Sequence, residues 1–179
     1  MMEGHAARGM TRRELLASGV AASAALVVGA GFVASSTEAW AMEVKALKPA
    51  TMATLVQMAR DIYPHDHVPD QHYAAAVKGH DDAAAGDDAV REMIEGGVDG
   101  LDTMAAGQGH GSYLGTGWEI DRVAMLRQIE GSPFFQTIRG GLVVGLYNQK
   151  DLWPLFGYEG ESYSKGGYIA HGFDDIAWL

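Results

Sequence analysis

No charged residue stands between Leu15 and Thr37, a run of 23 positions that limits what the rest of the chain can build. It is mostly Ala, Gly and Ser and closes on the small-x-small triplet Ala39-Trp40-Ala41. A positively charged start, an apolar middle and a small-residue close are the order of features in an export signal, which takes no part in the mature fold. We expect residues 1–41 to be such a signal, cut after Ala41, which leaves 138 residues to form one domain with a real core. The run is also long enough to span a bilayer as a retained anchor. Its composition argues against that, because Ala, Gly and Ser partition weakly into lipid compared with Leu, Ile or Phe.

Arg12 and Arg13 precede the run by one residue, Glu14, within Thr-Arg-Arg-x-Leu-Leu. This matches the twin-arginine signal, an address read by a receptor. The route it opens carries proteins that have already folded, so the expected destination is the periplasm, with no direct membrane span once the signal is cut. The net charge is −10 and is unchanged by the cut, because three basic and three acidic residues leave together. Such a charge repels nucleic acid and anionic lipid. The absence of cysteine excludes disulfides, thiolate-held zinc or iron–sulfur clusters, and covalently attached haem. We therefore expect no cofactor in this chain, and a reason for folding before export that lies in a companion.

Beyond a short linker, residues 42–149 read as an all-α domain of about five helices in a compact bundle. Met52, Leu55, Val56, Ala59 and Ile62 share one helical face, and Pro64 ends it. After the polar loop PHDHVPD, Asp70 is placed to cap a second helix carrying Tyr73, Ala76 and Val77. GHDDAAAGDD reads as an acidic turn, with Asp81-Asp82 and Asp87-Asp88 solvated. Val90, Met93, Ile94, Val98 and Leu101 form the stripe of a third helix, and a fourth follows a Gly-rich loop from Trp118. Ser132-Pro133 signals the start of a fifth. There, Gly140, Gly141 and Gly145 offer a thin face on which another backbone can lie close. No stretch alternates cleanly enough to be read as a strand.

Residues 150–179 lose all period and become aromatic, with glycines between the rings. Disordered segments are poor in aromatics, so this strap docks on its own helices, on a partner, or on both. Trp153, Phe156, Tyr158, Tyr168, Phe173 and Trp178 are the candidate partner anchors, because Trp and Tyr dominate interface energies.

The candidates for chemistry are few. His65-Asp66-His67 with His72 is the best metal set by residue type, with His65 and His67 as its core; an extended loop would point those two to opposite sides, and a turn would converge them. The glycines from Gly107 to Gly117 do not fit the dinucleotide fingerprint, and no nucleophile elbow or cysteine nucleophile exists. Adjacent acids diverge on a helix or strand and make no catalytic pair. No catalytic set emerges, and His80, His110 and His171 read as isolated.

TRRELL, MARDIYPHDHVPD, RQIEGSPFFQTIRGGLVVGLYNQKDLWPLFGYEG and GGYIAHGFDDIAWL together resemble the gluconate 2-dehydrogenase subunit 3 family. The block from Arg127 to Gly160 is the most specific part. The turn Pro69-Asp70-Gln71 departs from the small-residue turn usual at that place. The resemblance implies a small, non-catalytic subunit that accompanies a large FAD-containing subunit of the glucose–methanol–choline type. That partner would oxidise a sugar, polyol or glycoside and pass electrons to a cytochrome c subunit or a quinone. The small subunit would supply the export signal for both, so that the partner crosses with its flavin already held. The alternative is a stand-alone periplasmic enzyme or metal-binding protein built on His65, Asp66, His67 and His72.

Overall fold

The structure, a computed structural model, describes residues 26–29, 31–35, 41–167 and 169. Among these, five α-helices dominate: α1 (Pro49–Ile62), α2 (Asp70–Gly86), α3 (Asp88–Gly107), α4 (Glu119–Gln128) and α5 (Pro133–Tyr147). Two 3-10 helices follow, Lys150–Phe156 and Ser162–Lys165, so the described part of the strap is wound in tight turns rather than extended. The all-α expectation holds. No helix among the described residues is long and apolar enough to cross a membrane.

α1 is the central element. Pro49 starts it, and every residue from Thr51 to Ala59 is buried, polar ones included. A helix buried on nearly all sides needs neighbours all round, and α2, α3, α4, α5 and a small sheet supply them. α2 and α5 share the most extensive helix–helix interface. Glycine makes it possible. A Cβ on Gly145 would sit 2.7 Å from the Ala76 carbonyl oxygen, and one on Gly141 would sit 2.7 Å from the His80 ring. Gly140, by contrast, faces open space.

The sequence reading of no strands is corrected in one place. Leu26–Gly29 (β1), Phe32–Ser35 (β2) and Ala41–Glu43 (β3) form an antiparallel sheet in that order, with Val28 opposite Val33 and Val33 opposite Met42. Strands this short cannot show an alternating pattern, and Ala and Gly hide what alternation there is. Val33 is fully buried, and β1 and β2 lie against α1. A cut after Ala41 would remove both of those strands and leave Met42 and Glu43 of β3.

The chain that follows β3 is tied down by one carboxylate. The Lys45 N–H donates to Asp81 Oδ2 at 2.9 Å, and the Ala46 and Leu47 N–H groups donate to Oδ1 at 2.9 and 3.0 Å. Lys78 Nζ adds a fourth donor at 2.6 Å. Asp81 is wholly buried, which corrects its reading as a solvated acid. It also explains why GHDDAAAG is helical to Gly86 instead of turning: alanine favours helix, and Asp81 anchors the segment. Asp87 is the true boundary, capping α3 through the Ala89 N–H at 2.8 Å. Asp70 is the first residue of α2 rather than its cap, and it accepts from Arg60 Nε at 2.6 Å.

A second polar knot joins α1, the Gly-rich loop and α4. Asp61 accepts from Tyr113 O–H at 2.6 Å, from Arg122 Nε and Nη2 at 2.7 and 2.9 Å, and from Gln57 Nε2 at 3.1 Å. Arg122 Nη1 donates to the Thr116 carbonyl at 2.8 Å, so the loop is fastened at a second point beside Tyr113. Burial first, then the Asp61 carboxylate, pushes the Tyr113 hydroxyl well above its ordinary pKa, so it stays a donor. Breaking a buried ion pair from one side costs about 3–5 kcal/mol, because the other charge is left unpaired. Arg122→Met should lower stability by about that amount in urea denaturation, with Asp61→Asn plus Arg122→Met costing less than the single change. Equal stability of Arg122→Met and the unaltered chain would contradict this.

The same measurement across pH tests two buried groups. Burial lowers the pKa of His80 from 6.5, and its Nε2 has no hydrogen-bond partner among the described residues. As pH falls below about 6.5 the unfolded chain takes up this proton first, so stability declines. Burial alone would raise the pKa of Asp81, but its backbone donors and Lys78 outweigh that and lower it from 3.8 to about 2. Its contribution, about 2 kcal/mol, is complete above pH ~4 and is lost as pH falls to about 2. Stability should therefore decline in two separate windows. Asp82 and Glu95, held below their ordinary values by Lys45 and, against burial, by the Lys48 backbone and side chain, share the lower window. Asp81→Asn should therefore make the lower decline shallower while reducing stability at neutral pH, and a lower decline of unchanged depth in this variant would refute the assignment.

Candidate functional site

The aromatic cluster is built where the PHDHVPD loop meets the end of α5. The close α2–α5 packing brings Tyr147, in the last turn of α5, beside the loop that precedes α2. His65 Nε2 and the Tyr147 hydroxyl lie 2.7 Å apart. Phe156, from the first 3-10 helix, stacks edge-on against His65 with centroids 5.0 Å apart and leans on Tyr147 at 5.5 Å. Tyr63 meets Tyr147 edge-on at 5.6 Å. Behind these rings, the Tyr73 O–H donates to the Tyr63 carbonyl at 2.6 Å, and the His65 N–H donates to the Tyr73 hydroxyl at 3.2 Å. Burial raises the pKa of both Tyr73 and Tyr147.

Gln149 locks the loop from the other side. Its Nε2 donates to the His72 carbonyl at 2.8 Å and to the Gly145 carbonyl at 2.7 Å, while its Oε1 lies 2.7 Å from His72 Nδ1. The four members of the proposed metal set are thereby given separate tasks. His65 meets Tyr147, His72 meets Gln149, and Asp66 and His67 face solvent. No group of three His, Cys, Asp or Glu residues converges on one point among the described residues. Gln149 was missed in the sequence because a lone glutamine after a helix carries no pattern; its partner in the loop, His72, lies 77 residues away.

On this base stands an exposed ledge. Trp153 is half-buried, donating Nε1–H to the Tyr147 carbonyl at 3.0 Å and stacking edge-on with Tyr158 at 5.2 Å, with Lys150 Nζ 5.3 Å from its ring centre. Beyond it Leu155, Phe156 and Tyr158 are each about half exposed, and Tyr163 is 92% exposed. Gly157 at φ +69° ends the first 3-10 helix and Gly166 at φ +87° the second, conformations that favour glycine. Of the six candidate anchors, Trp153 serves the base and Phe156 and Tyr158 straddle base and ledge. Tyr163 was not among them, and its exposure makes it the ring least engaged with its own chain among the described residues. Tyr168, Phe173 and Trp178, like Arg12 and Arg13, lie outside the described residues.

Packing rings and display rings separate by substitution. Phe156→Ala should cost about 2–4 kcal/mol, reduced from a full core loss by its partial exposure. Tyr163→Ala should change stability by no more than about 0.5 kcal/mol. Thermal denaturation of the two variants checks this, and a large loss with Tyr163→Ala would mean that the second 3-10 helix is part of the core.

Comparisons of the chain with protein-family models, with curated proteins and with solved structures find no match. The family reading therefore rests on the resemblance of residues alone.

Proposed function

We propose that this chain is the non-catalytic small subunit of a periplasmic, FAD-dependent sugar or glycoside dehydrogenase complex of the glucose–methanol–choline type. In this reading it carries the twin-arginine signal, holds the large flavin subunit during maturation and export, and stabilises it afterwards. FAD belongs to the partner, and a cytochrome c subunit or quinone receives the electrons. The observation that carries the reading is the ledge: several half-exposed rings and a nearly free Tyr163, mounted on a rigidly hydrogen-bonded base. Exposed aromatic surface of this kind marks interaction sites. Its net charge suits a partner with a basic face. The alternative metal reading draws no support from His65 and His72, whose ring nitrogens are directed to Tyr147 and Gln149.

Co-expression with a large flavin subunit that lacks its own signal is the test. Arg12→Lys with Arg13→Lys should leave both proteins in the cytoplasm. Deletion of residues 150–179 should release the flavoprotein during purification while the helical domain stays soluble. Export of the partner despite the lysine pair would refute the export role, and co-purification despite the deletion would refute the docking role.

A further inference from the structure

Every lysine and arginine among the described residues pairs with a carboxylate, with two exceptions, Arg127 and Arg139. In a chain with ten more acidic than basic charges, cations left without acids are unexpected. Both line the same cleft, of about 240 Å³, between the end of α1, α4 and the start of α5. Its apolar wall includes Leu126 and Phe135, both nearly buried, and the half-buried Val123.

We propose that this cleft is a binding site for a small amphipathic monocarboxylate. Three features carry the assignment. Arginine presents a planar fork of N–H donors that matches a carboxylate, and here two arginines line one cavity. Charge sets the valence: Asp61, at the base, is neutralised by Arg122 at 2.7 Å, and Glu130 supplies the one other acid in the lining. Two arginines against one glutamate leave a single positive charge, which a monoanion balances and a dianion exceeds. Size sets the rest. Pockets for drug-sized ligands run about 300–1,000 Å³, so the occupant is smaller, with its apolar part against Leu126 and Phe135. The cleft touches the base of the aromatic cluster through Tyr63, which lines it and meets Tyr147, but the assignment does not depend on the proposed partnership.

The probe is benzoate, titrated into the uniformly ¹⁵N-labelled full chain and followed by amide and arginine Nε–H shifts. Benzamide serves as the uncharged isostere and phenyl phosphate as the dianion. Saturable benzoate shifts confined to residues 61–63 and 123–139, absent with benzamide and weaker with phenyl phosphate, are expected. Arg127→Gln with Arg139→Gln should weaken benzoate binding about tenfold or more without changing the circular dichroism spectrum, since both side chains are exposed. Arg127→Lys with Arg139→Lys, which keeps charge and loses the fork, should recover part of the affinity. The proposal is overturned by shifts that do not saturate or are spread over the surface. It is equally overturned by benzamide matching benzoate, by tighter binding of phenyl phosphate, or by an unchanged affinity in the glutamine pair.

Discussion

Gly145 lies so close to Ala76 that any side chain there would collide with the backbone of the neighbouring helix. That contact fixes how deeply α5 settles on α2, and the rest of the described surface is registered to it. One residue pair further along, Tyr147 comes level with His65. Gln149 then reaches both the His72 carbonyl and the Gly145 carbonyl. The first 3-10 helix starts at once after Gln149, so the position of Trp153 and Phe156 follows from the depth of the helix contact. Van der Waals packing at a glycine is thus converted into the placement of exposed rings some residues away.

Two buried carboxylates do complementary work around the central helix. Asp81 gathers the backbone that leads into α1, and Asp61 gathers the loop that leads into α4. Each is satisfied by several donors, as a buried charge must be. The chain has no disulfide or thiolate-held metal to hold its irregular segments. The polar knots take that place, joining residues 34 to 61 positions apart in sequence.

The helical frame was legible because its signals are local. Apolar spacing marked α1 and α3, Ser132-Pro133 marked the start of α5, and Gly141 and Gly145 announced a close approach that the fold uses. What stayed hidden was set by distant partners. Asp81 looks like one of several acids in an alanine-rich stretch, and only the fold brings three N–H groups to it. Arg122 follows Asp121 in a short helix with charged residues at both ends, and one signal was present: it lies three and four positions before Met125 and Leu126, on the buried face. The hairpin from Leu26 to Ser35 was hidden by composition, since a run of Ala, Gly and Val serves a signal, a strand or a helix equally well. In the histidine loop the residue types suggested a metal, while the ring nitrogens of His65 and His72 meet hydrogen-bonding partners on and just after α5.

The proposed function turns on the ledge beyond α5 being a docking surface for a flavoprotein that leaves the cytoplasm folded. Hydroxyl-radical footprinting of Phe156, Tyr158 and Tyr163, in the isolated chain and in the complex with its flavin subunit, reads that claim at the side chains themselves. The account predicts strong protection of all three in the complex, with Tyr163 changing most. Equal labelling of these rings in both states, with protection elsewhere on the helices, would contradict it.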